Sequence, residues 1–101
     1  MNRVRLSGTM IGRAQRVEQR AAFWIAFGEP DQDFGIQKIR VLVRGEKNVA
    51  LVMALRDGDS IRVYGKLAAL RCIFIEADRL IAISSGKQEE ANGKNEKEKV
   101  A

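Results

Sequence analysis

The residues of this sequence that can do chemistry are cations set at every second position. Lys38, Arg40 and Arg44 oppose Ile39, Val41 and Val43, and share their side of the chain with Leu42. The same stride returns over 61–67, where Arg62, Tyr64 and Lys66 face away from Ile61, Val63 and Leu67. Near the N-terminus Arg3 and Arg5, with Ser7 and Thr9, oppose Val4, Leu6 and Met10. A period of two puts each set on one face of a β-strand, apolar side inward and basic side outward. Guanidinium and ammonium groups spaced along strands suit charge-assisted contact with a chain of phosphates. Tyr64 among them, and Trp24 and Phe34 elsewhere, offer flat surfaces on which a base can stack. Each cation also has a plainer role, as a solvated residue that blunts strand-edge pairing.

Other chemistries lack their residues. There is no His, and Cys72 stands alone in an apolar run, where it reads as a small buried hydrophobe. Disulfide frameworks, zinc clusters and Ser/His or Cys/His catalysis therefore fall away. With the acids scattered over loops, no nucleophile, base and orienting group can be assembled, so the chain is expected not to be an enzyme and to need no metal or cofactor. Glu29, Asp31 and Asp33 share the stretch 28–35 with the only Pro, but no further acid follows at calcium-loop spacing. They read as a solvated loop tip or a gate on a groove.

Charge points to the partner. The net charge is +5 over 101 residues, and after Ser85 four Lys (87, 94, 97, 99) offset four Glu (89, 90, 96, 98). The excess sits on the folded body, which suits a polyanionic partner such as a nucleic acid, although many basic proteins are merely soluble. No apolar run approaches the roughly 18 residues of a membrane span, and the charged N-terminus lacks a signal peptide's apolar core, so a cytoplasmic protein is expected.

The elements that position these residues follow the patterning. The length predicts a single domain with one modest core. Residues 3–11 form a first strand in which Gly8, on the apolar side, marks a bend or bulge and Gly12-Arg13 closes the strand. Residues 13–20 read as a basic loop, and 21–27 as a second strand with Phe23, Ile25 and Phe27 on one face and Ala22, Trp24 and Ala26 on the other. Trp24 has three readings: stacking platform, subunit contact or core residue. Phe34, closing the loop 28–35, either stacks a base or pins the loop. Gln37–Arg44 is the third strand. Asn48 caps a short helix whose apolar stripe is Val49, Val52 and Met53, and Arg56-Asp57-Gly58-Asp59 ends it in a turn. The fourth strand covers 61–67. After a tight connection over 68–71 the fifth covers 72–83, with Ile73, Ile75 and Ala77 alternating against Phe74, Glu76 and Asp78. Five strands with one helix between the third and fourth is the order of the five-stranded Greek-key barrel, the OB-fold. Residues 1–84 would form that all-β domain, and 85–101, rich in Lys and Glu and without an aromatic, a disordered tail.

Asn2-Arg3 leading into Leu6-Ser7-Gly8-Thr9, the Gly45…Asn48 turn into the helix, and Gly58-Asp59-Ser60 before a strand reaching Gly65 resemble bacterial single-stranded DNA-binding proteins (SSB). Within that group they resemble the primosomal replication protein PriB, over residues 2–84. The resemblance implies an OB-fold that self-associates, as a dimer or tetramer, and binds single-stranded DNA in replication, restart or repair at the nucleoid, with replication or primosome proteins as partners. Two departures move the reading toward the PriB-like side. General SSB proteins carry stacking aromatics near the third strand, where this chain has Lys38 and Arg44. They also have a long hairpin between the last two strands and an acidic tip finishing in Pro-Phe; here the connection is short and the sequence ends Glu98-Lys99-Val100-Ala101.

The expected nucleic-acid-binding residues are thus Arg3, Arg5, Lys38, Arg40, Arg44, Arg62 and Lys66 for phosphates, and Tyr64, Trp24 and Phe34 for bases. A protein-docking adaptor, with Trp24 and Leu42 as contact points, is the alternative from another class. Single-stranded RNA is a third possibility, since no residue visibly reads or excludes a 2′-hydroxyl.

Overall fold

A computed structural model describes residues 2–31, 33–84 and 87–90, with the backbone alone from Ser84 onward. Five strands close into a barrel: β1 (Val4–Val17), β2 (Arg20–Phe27), β3 (Gln37–Arg44), β4 (Ser60–Ala69) and β5 (Ile73–Ser84), with one helix, α1 (Glu46–Ala54), between β3 and β4. The strand order is β3-β2-β1-β4-β5, and a parallel pairing of β3 with β5 joins the two ends. This is the expected OB-fold. Residues 85, 86 and 91–101, most of the expected tail, lie outside the described residues, while Lys87–Glu90 pair with the end of β5 as a short strand β6.

The alternation sets the core. Met10, Phe23, Ile25, Val41, Val43, Ile61, Val63, Ile75 and Leu80 are buried inside the barrel, and Val49 and Val52 of α1 pack against them. Closing so small a barrel demands that strands cross at short range, and two glycines allow it. A Cβ on Gly8 of β1 would run into the carbonyl of Ala26, and one on Gly65 of β4 into the carbonyl of Glu76. At Gly8 the structure thus shows a close approach of β1 to β2, while the irregularity in β1 falls further on, between Ile11 and Gln15.

Four expectations need correction. Gly12-Arg13 does not close the first strand, because β1 continues to Val17 with a register shift between Ile11 and Gln15 and pairs with β2. The stretch 13–20 is thus mostly strand, and Arg13 Nη2 donates to the Met53 carbonyl at the end of α1, where the helix dipole favours a cation. The helix begins at Glu46 with Gly45 as its N-cap, not at an Asn48 cap; Asn48 Nδ2 instead donates to the Arg44 carbonyl. Cys72 is exposed, not buried. Leu67 and Ile73 are exposed as well, although both fall on the inner face by alternation. Ile73 lies beyond the Phe74–Ala77 stretch that pairs with β3 and has only Ala69 opposite it, whereas Leu67 is exposed although its partner Ile75 is buried.

The turn after α1 is tied to β1. Asp57 Oδ1 accepts from the Gly12 N–H at 2.6 Å, Gly58 N–H donates to the Met10 carbonyl at 2.9 Å, and Met10 N–H to the Asp59 carbonyl at 2.8 Å. Asp57→Ala removes the carboxylate bond and is expected to cost about 1 kcal/mol, as for an exposed charge-assisted hydrogen bond. In a thermal melt followed by circular dichroism that is a drop of roughly 4–8 °C. An unchanged melting temperature would show that the two backbone bonds suffice.

Candidate nucleic-acid interface

Cross-strand neighbours build the barrel's outer wall. Ile11 of β1 lies opposite Trp24 of β2, Trp24 opposite Arg40 of β3, and Arg40 opposite Phe74 of β5. One step along, Ala26 of β2 faces Lys38 of β3. Trp24 is 37% exposed, so it belongs to the outer wall and not to the core. Its outer-face neighbours along β2 are Ala22 and Ala26, too small to cover the indole. Lys38 Nζ stands 5.1 Å from the ring centroid and Arg40 Cζ 5.9 Å, both within cation–π range. Two cations are thus held at the face of an exposed aromatic platform. A base stacked on the indole would bring its phosphates within their reach.

Phe34 stands 84% exposed in the loop between β2 and β3, so it does not pin the loop. With Phe27, Gly28, Asp33, Gly35 and Gln37 it lines an open groove of about 480 Å³, at the end of β3 where Lys38 lies. Glu29, Asp31 and Asp33 are exposed on the same loop.

Most of the other candidates lie along the β1–β4–β5 pairing. Arg5 pairs across to Tyr64, and Tyr64 to Arg79 of β5; Arg79 Cζ stacks over the Tyr64 ring at 4.8 Å. Arg62 lies opposite Ser7 and donates from Nε to its hydroxyl at 3.1 Å. Asn2 extends the β1–β4 pairing through its side chain, donating to the Leu67 carbonyl at 2.7 Å and accepting from the Leu67 N–H at 2.9 Å, which leaves Arg3 opposite Lys66. At the β3–β5 seam, Arg44 and Lys66 each stand 3.8 Å from Glu76.

The ten expected residues therefore form no single face. Trp24, Lys38, Arg40 and, at their edge, Phe34 gather on β2 and β3. Arg5, Arg62 and Tyr64 gather on β1 and β4, with Arg3 just ahead of β1, and Arg44 and Lys66 flank the β3–β5 seam. Arg79 and Phe74 are the additions. Nothing local marks either one: Phe74 comes beside Arg40 only through the parallel β3–β5 closure, and Arg79 beside Tyr64 only after a register shift in the β4–β5 pairing. Among the described residues, no cluster of His, Cys, Asp and Glu could hold a metal ion, and no helix is long and apolar enough to cross a membrane.

No protein-family model matches the sequence, and no curated protein does. Solved structures do match. The SSB domain of a Synechococcus protein aligns with a TM-score of 0.66 at 21% identity, covering 79% of this chain and 93% of that one. The Plasmodium falciparum SSB, solved in complex with single-stranded DNA, aligns with a TM-score of 0.66 at 20% identity, covering 83% and 96%. The single-stranded DNA-binding protein of Thermus aquaticus gives 0.68 at 24% identity, covering 86% of this chain but 42% of that longer one. At such identities the likeness is one of fold, and the fold this chain shares is the OB barrel of SSB domains.

Proposed function

We propose that this chain binds single-stranded DNA in replication, replication restart or repair, holding the strand mainly by its phosphates. The observation that carries the reading is the exposed Trp24 ring with Lys38 and Arg40 poised over it. Stacking there is sequence-tolerant because every base has a flat face, and the cations supply the charge contact on either side. Phe34 extends the path at one end. Arg44, Lys66, Arg3, Arg5 and Arg62 continue the positive wall around the barrel, and Tyr64 is a second aromatic on it. The fold shared with SSB domains supports the same class of ligand. The PriB-like reading rests on Lys38 and Arg44 standing on the third strand where general SSB proteins have stacking aromatics. A self-associating barrel in the cytoplasm, at the nucleoid, completes this reading.

Trp24 is the only tryptophan, so its fluorescence reports the site directly. Titration with oligo-dT of a few tens of nucleotides is expected to quench it, with affinity falling steeply as salt rises, by about 0.7 log units per decade of salt for each phosphate neutralised. Matched duplex DNA is expected to bind much more weakly. Absence of binding at low salt sinks the reading.

One feature favours the adaptor reading: Leu70 at 87% and Ile73 at 62% exposure, with Leu67, form an apolar tip on the β4–β5 hairpin. In that case the partner is a protein and its affinity survives high salt.

A further inference from the structure

Among the residues of the five barrel strands, the only acids are Glu76 and Asp78, and both are on β5. Every one of those strands carries at least one Lys or Arg. The two acids line one groove of about 420 Å³ at the β3–β5 seam, together with Arg20, Arg44, Asn48 and Lys66. The seam explains the groove, because β3 and β5 pair only from Arg40 to Val43 and from Phe74 to Ala77 before β3 turns into the helix. Glu76 lies opposite Leu42 on one side and Lys66 on the other. Its carboxylate bridges the strands: Oε2 stands 3.8 Å from Arg44 Nη2, and Oε1 3.8 Å from Lys66 Nζ.

One oxygen for each cation is the arrangement a DNA phosphate would make with its two non-bridging oxygens. The pairs are long, and the Glu76 side chain is 36% exposed against 73% for Arg44 and 61% for Lys66. Exposed ion pairs of this kind exchange readily and hold little of the fold together. While the carboxylate stays in place it both occupies the two cations and repels an approaching phosphate.

We propose that Glu76 is a built-in competitor for phosphate, which keeps Arg44 and Lys66 occupied until a strand anchored elsewhere on the wall displaces it. The proposal rests on the single-stranded DNA reading above and adds a control on it. Glu76 limits affinity at low salt and holds the salt dependence below what the number of cations would give. Weak or non-specific polyanions are screened out, and a strand already stacked at Trp24 gains the two extra contacts.

The test is a double-mutant cycle on the full chain, with fluorescence anisotropy of labelled oligo-dT at several salt concentrations. The four proteins are the parent, Glu76→Gln, Arg44→Gln/Lys66→Gln, and the triple variant. Glu76→Gln is expected to bind about 3–10-fold more tightly at low salt, the size of releasing two exposed ion pairs. Its salt slope is expected to steepen by about 1.4, two phosphates at roughly 0.7 each. In the background lacking Arg44 and Lys66 the same substitution is expected to change nothing. An equal gain in that background would reduce the effect to net charge and overturn the proposal. So would the absence of any gain when the parent itself binds. If the parent does not bind at low salt, the DNA reading fails and this inference goes with it.

Discussion

Trp24→Ala is expected to weaken binding to oligo-dT by roughly 5–150-fold with its salt slope unchanged, the loss corresponding to about 1–3 kcal/mol for one base stacked on an aromatic side chain. The ring is exposed on the barrel wall between two alanines, so its removal opens no cavity in the core. Lys38→Gln/Arg40→Gln is expected to behave differently. It takes away two phosphate contacts, so the salt slope flattens by about 1.4 and the difference from the parent shrinks as salt rises. Anisotropy of a labelled oligonucleotide measures both, since the tryptophan signal is lost in the first variant. The split matters because the two cations stand over the ring. If the indole merely seated Lys38 and Arg40, losing it would flatten the slope as well. If both variants bind like the parent, the strand runs along the other wall, past Arg5, Arg62 and Tyr64.

Alternation placed Ile61 and Val63 inside and Arg62 and Tyr64 outside, because a half-buried strand must separate apolar from charged side chains at a period of two. The order of five strands with a helix after the third was legible for the same reason. What alternation does not carry is the identity of neighbours. Arg40 sits beside Phe74, and Leu42 beside Glu76, only because β3 and β5 close the barrel in parallel, and that pairing joins residues 34 positions apart with no turn to mark it. The ion pairs of Glu76, and the division of the basic residues between two walls, follow from that closure and were hidden with it. Leu67 and Ile73 show the complementary limit. Their period assigns them to the inner face, but Ile73 falls outside the stretch of β5 that β3 covers, Leu67 is exposed opposite the buried Ile75, and Cys72 at the hairpin tip is exposed with them. The start of the helix was missed for a local reason: Asn48 is a good capping residue, yet Gly45, with φ at 92°, already turns the chain and lets Glu46 begin the helix.

The largest expected effect on stability comes from a single methyl group at Gly65. Ile61, Val63 and Gly65 alternate toward the barrel interior, and at Gly65 the strand passes directly over β5, opposite Ala77 and next to the register shift between Tyr64 and Gly65. A Cβ there would collide with the Glu76 carbonyl oxygen and stand 2.8 Å from the Ala77 Cα. Those are backbone atoms held by the β4–β5 pairing, so neither can swing aside as a side-chain tip would. Gly65→Ala is therefore expected to destabilise the barrel by about 3–5 kcal/mol, in the tail of single-substitution effects and a large share of a small domain's total. Chemical denaturation followed by circular dichroism measures it. Gly35→Ala supplies the contrast: that glycine has φ at 64° and nothing within 4 Å of its would-be Cβ, so alanine meets only the left-handed backbone cost of about 1–2 kcal/mol. If the two variants lose stability equally, close strand crossing is not what Gly65 provides. If Gly65→Ala folds but binds oligo-dT poorly, the crossing matters to the interface as well, because Glu76 and Lys66 flank the same point of the seam.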